Sequence, residues 1–171
     1  AEQMKVRIGK TGFRSRSINM GRITTENVVE KTFEIYNAST DTINLSEEYR
    51  APEFIKLSFD TLTLLPGKVG KITLSYDPVH EDNLGYNNHG IQIFTDEENA
   101  NEKKINVLAT ITEYFPPMSA EERAKAPRLS IRDRLQDLGQ IKLGEKAEAL
   151  FVLSNTGAST LNIRKIKSNC A

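Results

Sequence analysis

The chain has no tryptophan, one cysteine, two histidines and no net charge, and each shortage excludes something. Cys170 has no second cysteine to pair with, so an intrachain disulfide is excluded. The 23 basic and 23 acidic side chains balance, which argues against nonspecific binding to nucleic acid or to an anionic membrane. No apolar run approaches the ~20 residues of a membrane-spanning helix, and residues 1–10 do not form a signal peptide.

The shortage of histidine also limits catalysis. Nucleophilic catalysis needs a nucleophile held beside a base, and no such set is visible, so we predict no enzyme and no catalytic, cofactor-binding or metal-binding residues. His80, Glu81, Asp82 and His89 are side chains of the types that bind divalent metals, but their spacing fits no known metal motif. We favour a solvated loop between two strands and keep a carbohydrate- or metal-binding loop from His80 to His89 as the alternative function.

Two further polar segments invite a functional interpretation. The stretch DEENANE, from Asp96, lacks the acidic alternation and the central glycine of a calcium loop, so it predicts a solvated hairpin tip. Asn37 and Asn44 begin glycosylation sequons, which matter only in a eukaryotic secretory pathway. At Asn37 and Asn155 we prefer a structural role, in which the amide holds a tight turn and tolerates a left-handed backbone.

What the chain does have is a period of two in its apolar residues, broken at short intervals by turn residues. This pattern predicts about seven strands, the number in an immunoglobulin-like sandwich, and therefore an all-β fold. The segments are RSRSINM, VEKTFEIY, TINLS, EFIKLSF, KITLSYD, GIQIFT and KINVLATIT. We expect one core to contain Phe33, Ile35, Ile72, Leu74, Ile91, Ile93, Val107 and Ala109.

The chain also repeats itself at a spacing of 118 residues. Residues 19–47 align with residues 137–165 without a gap, and seven of these 29 positions are identical. The identical pairs are Gly21/Gly139, Ile23/Ile141, Glu30/Glu148, Phe33/Phe151, Asn37/Asn155, Thr42/Thr160 and Asn44/Asn162. Because the apolar phase is kept as well, we interpret this as a true repeat.

One helical signal separates the two copies. In PPMSAEERAKAP, Ser119 is the expected N-cap, with Glu122 as its capping-box partner, and the flanking prolines limit the helix to about two turns. We therefore predict tandem sandwiches joined by a short helical linker, the second incomplete. The predicted divisions are 1–13, a tail or a strand left from a preceding unit; 14–115, the first domain; 116–127, the linker; and 128–171, the first half of a second domain.

The second copy resembles the opening half of the bacterial family known as domain of unknown function 1573, whose pattern includes F-x-x-x-N-x-G, L-x-I-x-x-V and C-G-C. The back half of that pattern, P-G-x-x-G-x-I-x-x-x-Y followed by G-x-x-x-x-x-I-x-I, is similar to a stretch of the first copy. The matching residues are Leu138, Gly139, Phe151, Asn155, Gly157, Leu161, Ile163 and Cys170, and then Pro66, Gly67, Gly70, Ile72, Tyr76, Gly85, Ile91 and Ile93. Major-sperm-protein and cilium-associated sandwich domains share the glycine and asparagine turns.

The resemblance implies an immunoglobulin-like fold in exported, often lipid-anchored proteins, and hence a periplasmic or cell-surface location. It implies no known activity. For Cys170 it favours half of a disulfide with a partner beyond this segment, and a buried small hydrophobe or a reactive thiol stay open as alternatives.

Together these observations predict a non-enzymatic structural or interaction module of the bacterial cell envelope. We expect it to bind a protein partner through sheet faces or edges, because an exposed strand offers unpaired N–H and C=O groups to another chain. We also expect the apolar face of the second copy to be covered by further chain, by the first copy or by self-association, with MKVRI as a candidate strand to pair with it.

Overall fold

The computed structural model describes residues 4–79, 84–164, 166 and 168. The chain divides into two compact units, Ala1–Phe115 and Pro116–Ala171, which we call the first and the second unit. The first unit contains ten strands among its described residues. They are β1 (Val6–Ile8), β2 (Thr11–Phe13), β3 (Ser17–Thr24), β4 (Val29–Asn37), β5 (Ile43–Arg50), β6 (Ile55–Phe59), β7 (Thr63–Leu64), β8 (Val69–Tyr76), β9 (Gly85–Thr95) and β10 (Glu102–Thr112).

The ten strands form two sheets of five. The first sheet has the order β1-β2-β4-β8-β6, and the second has the order β3-β10-β9-β5-β7. All neighbours are antiparallel except β3 and β10, which are parallel. The chain leaves the first sheet after Phe13 and enters the second sheet at Ser17. The predicted immunoglobulin-like β-sandwich is confirmed, and the alternation of apolar residues supplies its two inner faces.

The core lies between the sheets. Seven of the eight residues that we expected in it are buried, and the eighth, Phe33, is only partly buried. Phe33 stays in phase with Ile35, so the period of β4 is as predicted. Its partial exposure arises because it lies beside an opening at the edge of the first sheet, which is described below. The correction is therefore to its burial and leaves the assignment of its face unchanged.

The N-terminal residues belong to the first sheet. Val6–Ile8 pairs antiparallel with Thr11–Phe13, which in turn pairs with the end of β4. Phe13 is 1% exposed and lies in the core. Residues 4–13 are thus part of the first unit, and β1 pairs with β2 in place of the partner that we expected for MKVRI.

The polar segment after β8 is shorter than its composition indicates. We expected a loop from His80 to His89, but β9 begins at Gly85 and includes Asn87 and His89. Asn87 is buried, and its side chain donates to Gly85 O. Pairing with β10 along the whole of β9 explains the difference, because a ladder partner overrides weak local β-propensity.

The second unit holds less regular structure. Its helix α1 (Ala120–Lys125) begins after Ser119, and both hydrogen bonds of the predicted capping box with Glu122 are present. Two three-residue strands follow, β11 (Leu129–Ile131) and β12 (Leu153–Asn155), and they pair with each other.

The repeat predicts a copy of the β4 strand in KAEALFVLSN, residues 146–155, but only the last three of these residues form a strand. In the first unit the matching segment is held along its whole length by β8. The described residues of the second unit contain no strand in that position, so residues 146–152 have no ladder to join. That this unit is half of a second sandwich stays a prediction.

Candidate interaction edge

The four residues of the alternative metal- or carbohydrate-binding loop do not all lie within the described part of the chain. His80, Glu81 and Asp82 lie outside the described residues, so the alternative that uses them stays a prediction. His89 lies in β9, where its ring packs edge-on against Phe54, with centroids 5.0 Å apart, and near Tyr76. Within residues 4–79, 84–164, 166 and 168, no three His, Cys, Asp or Glu side chains come together as a metal-binding group.

The strongest structural feature is the edge of β4. β8 pairs with β4 from Val29 to Tyr36, whereas β2 on the other side pairs only with Ile35–Asn37. Among the described residues no strand pairs with Val29–Glu34 on that side. Six residues of β4 therefore form an unpaired edge within the first sheet, and we call this stretch the open edge.

The backbone groups that face outward at the open edge can be identified. Asn37 N donates to Lys68 O, beside β8, and Ala38 N donates to Lys10 O, beside β2. Successive residues of a strand direct their backbone groups to opposite sides. Glu30, Thr32 and Glu34 therefore direct their N–H and C=O groups away from β8, and these groups are available to another strand.

A cleft lies beside the open edge, between the two sheets. Its volume is about 560 Å³, and its floor is apolar, formed by Phe13, Ile18, Phe33 and Ile105. The far wall is β3, which pairs with β10 on one side only. The cleft exists because the chain leaves the first sheet after Phe13, so β2 ends before it can cover the rest of β4. An apolar cavity lined on both sides by strand edges suits an extended peptide.

The rim of the cleft is polar and mainly basic. Arg14, Lys31 and Lys71 line it together with a single carboxylate, Glu34. Arg14 donates to Glu34 from Nε and Nη2, at 3.0 and 2.7 Å, and so holds that carboxylate. Lys31 reaches across the mouth of the cleft, where its Nζ donates to Asn19 O of β3. Both bonds are exposed, so each contributes at most about 1 kcal/mol and can be exchanged for a bond to a partner.

A buried ion pair closes one end of the sandwich, and sequence reasoning missed it. Lys103 has no exposed surface, and its Nζ donates to Glu97 Oε1 at 2.5 Å and to Ile8 O at 3.0 Å. Glu97 also accepts from Lys10 N, so the predicted solvated hairpin tip is wrong for this residue. The available signal was that Lys103 falls in phase with Ile105 in the apolar row. Because each N–H of the Lys103 ammonium group has an acceptor, we interpret the ion pair as structural.

Asn37 has the structural role that we preferred for it. It is fully buried, its Nδ2 donates to Asp41 O and Leu64 O, and its Oδ1 accepts from Ser39 N. The expected left-handed backbone is wrong, because among the described residues only glycines have positive φ. Its amide ties β4 to the end of β7, and so it positions the closed end of the edge.

No helix within the described residues has both the length and the apolar character required to cross a bilayer.

Comparison with known proteins gives two family matches. A model described as protein of unknown function (DUF1573) matches residues 11–111, and a model described as a HYDIN/CFA65/VesB-like, Ig-like domain matches residues 127–171. No curated protein matches the chain. The first match covers more than half of the sequence and includes the open edge.

Several solved structures are similar at low sequence identity. A protein of unknown function from Porphyromonas gingivalis W83 is 18% identical, with a TM-score of 0.50, over 56% of this chain and 44% of its own. PapD-like domain 7 of human CEP192 is 14% identical, with a TM-score of 0.46, over 62% of this chain and 87% of its own. The Vibrio cholerae VesB protease is 12% identical, with a TM-score of 0.42, over 56% and 29%. This chain thus spans less than half of the Porphyromonas protein, and that likeness shows a shared fold.

Proposed function

This chain belongs to the family of proteins of unknown function DUF1573, and from that premise we propose that it is a non-enzymatic interaction module of the bacterial cell envelope. Its mode of action is strand addition, in which a partner protein places an extended segment along the open edge of β4. The envelope location rests on the family resemblance of the turn and glycine motifs.

One observation carries the proposed mode of binding. β4 is paired along one side by β8 but is covered on the other side only at Ile35–Asn37. Unpaired strand edges attract other strands, and proteins usually block them with prolines, bulges or covering loops. Val29–Glu34 contains no proline, and an apolar cleft rather than a covering segment lies beside it. An edge of this length fits a partner segment of about six residues, roughly 20 Å long.

The described side chains give no support to an enzyme. Two of the three cations at the cleft are paired, Arg14 with the half-buried Glu34 carboxylate and Lys31 with Asn19 O. Among the described residues, Lys103 is a fully buried cation, and Glu97 and two carbonyls hold its ammonium group. This surface is therefore suited to binding a partner and not to catalysis.

The test compares two substitutions of Thr32, one that removes the backbone N–H and one that keeps it. Thr32→Pro removes an N–H that faces the open edge and places a ring where a partner strand would pack, whereas Thr32→Val keeps that N–H. Both variants lose the hydroxyl contact with Thr73, so they are matched in that respect. Peptides are selected on the full chain from a phage library of random dodecapeptides, and their affinities are then measured by fluorescence anisotropy.

We expect the selected peptides to bind the parent chain and Thr32→Val alike, and to bind Thr32→Pro at least about tenfold more weakly, since strand addition depends on main-chain hydrogen bonds. Circular dichroism establishes that both variants are folded. The proposal is overturned if no peptide is enriched over an unrelated control protein, or if folded Thr32→Pro binds the selected peptides as tightly as Thr32→Val does.

A further inference from the structure

The strand register and the charges at the open edge narrow the kind of segment that can pair with it, provided that the proposed strand addition holds. We propose that the open edge takes an extended segment with a large apolar side chain and then a small one directed inward, and with a Lys or Arg side chain directed outward, opposite Glu30. The argument combines the register of β2, the floor of the cleft and the charges along β4.

The short strand β2 defines where an added strand lies and in which direction it runs. β2 is antiparallel to β4, with Phe13 opposite Ile35, and the chain then departs to the second sheet. A segment that takes the place left free by β2 and runs in the same direction meets the C-terminal end of the open edge first. Its five positions lie opposite Phe33, Thr32, Lys31, Glu30 and Val29, in that order.

The first, third and fifth positions point into the sandwich, because successive side chains of a strand alternate between faces. The first lies over the apolar floor formed with Phe13, Ile18 and Ile105, so a large apolar side chain there is removed from water. At the third position Lys31 already occupies the mouth of the cleft, where its Nζ donates to Asn19 O. A small side chain leaves that bond in place. The fifth position lies beside the first residue of β4, which packs against the core, and is apolar as well.

The second and fourth positions point outward, where β4 presents Glu30, Thr32 and Glu34. The chain itself supplies one residue of this outward row. Continuing the register of β2 by one residue places Arg14 opposite Glu34, and Arg14 Nε and Nη2 donate to that carboxylate at 3.0 and 2.7 Å. Among the described residues no cation pairs with Glu30, which has Ser75 opposite it in β8. Since opposite charges directly across a strand pair stabilise it and like charges destabilise it, the fourth position favours a cation.

The cations that line the cleft do not reverse this preference. Arg14 is compensated by the Glu34 carboxylate. Lys31 shares the inward phase of Phe33 and so lies on the other side of the pleat. Lys71 lies on β8, two strand spacings or about 10 Å from an added strand, which is about the screening length at physiological salt. The unpaired charge directly opposite an outward position is therefore a carboxylate.

The experiment uses three fluorescein-labelled peptides, each with the same Gly-Ser flanks around a core of five residues. The core of the first, Leu-Thr-Ala-Lys-Val, has the proposed pattern and is called the Lys peptide. The Glu peptide has Glu in place of that Lys. The shifted peptide, Leu-Thr-Lys-Ala-Val, has the composition of the first but places the cation in the inward row. Affinities for the full chain are measured by fluorescence anisotropy at low and at high salt.

Three protein variants assign the effect to one position. Glu30→Lys reverses the charge opposite the fourth position of the segment. Glu48→Lys makes the same charge change at an exposed position of β5, in the second sheet, which does not line the cleft. Thr32→Pro removes an N–H that strand addition requires, and circular dichroism establishes that each variant is folded.

We expect the Lys peptide to bind about three- to tenfold more tightly than the Glu peptide, because one cross-strand charge pair is favourable in one case and repulsive in the other. High salt reduces the difference. The shifted peptide binds more weakly than the Lys peptide, and all binding is lost in Thr32→Pro. Glu30→Lys reverses the order of the Lys and Glu peptides, whereas Glu48→Lys keeps it.

The outcomes separate this inference from the function on which it rests. Equal affinity for the Lys and Glu peptides, or an order that Glu30→Lys does not reverse, overturns the basic preference, and strand addition stands if Thr32→Pro still removes binding. Edge-dependent peptides from the random library that lack a basic residue at this place also overturn the inference alone. If no peptide from either source binds in an edge-dependent way, both proposals are wrong.

Sedimentation of the chain alone tests a second copy as the occupant. We expect the same sedimentation coefficient for the parent chain and for Thr32→Pro. A dimer that dissociates in Thr32→Pro would place another copy of the chain at the open edge and contradict the inference.

Discussion

The same asparagine turn occurs in both units, but only one copy is buried. Asn37 Nδ2 donates to Asp41 O and Asn155 Nδ2 donates to Ser159 O, each at 2.7 Å, and each Oδ1 accepts from the amide two residues later. Asn37 is fully buried, whereas Asn155 is exposed. The turn is therefore specified locally, by the asparagine and its neighbours, whereas its burial comes from strands distant in sequence.

Strand pairing repeats with the same spacing. β2 pairs with β4 through Thr11↔Asn37, and β11 pairs with β12 through Leu129↔Asn155, which is the same pair displaced by 118 residues. Ala38 N donates to Lys10 O, and Thr156 N donates to Arg128 O. The repeat therefore extends to a strand that the sequence alignment of residues 19–47 did not reach.

The apolar rows differ most between the units. Ile23, Ile35 and Leu45 are 5%, 0% and 6% exposed, whereas their counterparts Ile141, Leu153 and Ile163 are 48%, 41% and 51% exposed. In the first unit these residues lie on the facing sides of two packed sheets, whereas the described residues of the second unit form a single two-stranded sheet. The asparagine turn therefore forms without a core around it, whereas burial of the apolar residues requires a second sheet.

The largest difference in stability between the two units is expected when one matching apolar residue of each unit is replaced by alanine. Ile35→Ala should lower the free energy of unfolding of the first unit by about 2–5 kcal/mol, because it removes a fully buried side chain. Leu153→Ala should change the stability of the second unit by less than about 0.5 kcal/mol, as surface substitutions do.

These effects require separate probes for the two units. All five tyrosines lie at or before residue 114, so tyrosine fluorescence during urea unfolding follows the first unit, and amide hydrogen exchange at Ser154 and Asn155 follows the second. A cost at Leu153 as large as that at Ile35 would show that the second unit does bury its apolar row.

Removing the shared amide should give a smaller difference of the same sign. Asn37→Ala leaves the carbonyls of Asp41 and Leu64 without their donor and should cost about 2–3 kcal/mol, the penalty for buried unpaired groups. Asn155→Ala exposes its partners to water and should cost about 0.5–1 kcal/mol. The same two probes measure both variants, and equal costs would contradict the assignment of the difference to burial.

Ser39 and Gly157 occupy the same position of the two turns, two residues after the asparagine. Exchanging them should cost more stability in the second unit than in the first. A Cβ on Gly157 would lie 2.1 Å from Ala126 O and 2.7 Å from Pro127 Cα, so Gly157→Ser should displace backbone and cost about 1–3 kcal/mol in the second unit. Ser39→Gly loses hydroxyl bonds to Asn37 and Asp41 and should cost about 1 kcal/mol or less. Amide exchange of the β11–β12 pair reports the first, and a harmless Gly157→Ser would show that this close approach does not hold in solution.

The smallest expected effect concerns the shared asparagine at position 44. Asn44 N and Nδ2 donate to the two oxygens of Asp96, and these bonds, the backbone one first, lower the pKa of Asp96. A carboxyl whose folded pKa is depressed stabilises the fold above its unfolded pKa of ~3.9, and the contribution is lost as the pH falls through the folded value. Because Asp96 is exposed, we expect only a few tenths of a kcal/mol between pH 5 and pH 2.

Asp96→Asn should remove that part of the pH dependence and leave the stability near pH 7 within a few tenths of a kcal/mol of the parent. Urea unfolding across this pH range measures it. An unchanged pH profile in the variant would show that Asp96 does not contribute.

Period-two patterning located seven of the ten strands of the first unit, because each is long enough to show alternation. It missed Val6–Ile8, Thr11–Phe13 and Thr63–Leu64, since two or three residues carry no period. It also extended a strand over residues 146–152, where the pattern is present but a partner strand is not.

From the sequence, the type of candidate site could be predicted, but its position could not. Edge pairing was expected, but the position of the open edge depends on where the chain leaves the first sheet, between Phe13 and Ser17. No local signal in residues 14–16 fixes that departure. The pairing of Lys103 with Glu97 likewise depends on the closure of a hairpin, although the charge within an apolar row was a readable warning.

Amide hydrogen exchange measured residue by residue tests the open edge of β4 most directly. We predict that the amides of Glu30, Thr32 and Glu34 exchange fast, that those of Lys31, Phe33 and Ile35, directed at β8, exchange slowly, and that a peptide selected on the full chain protects the first three. Uniform slow exchange from Val29 to Asn37 in the free chain would contradict it, because the edge would then already be paired.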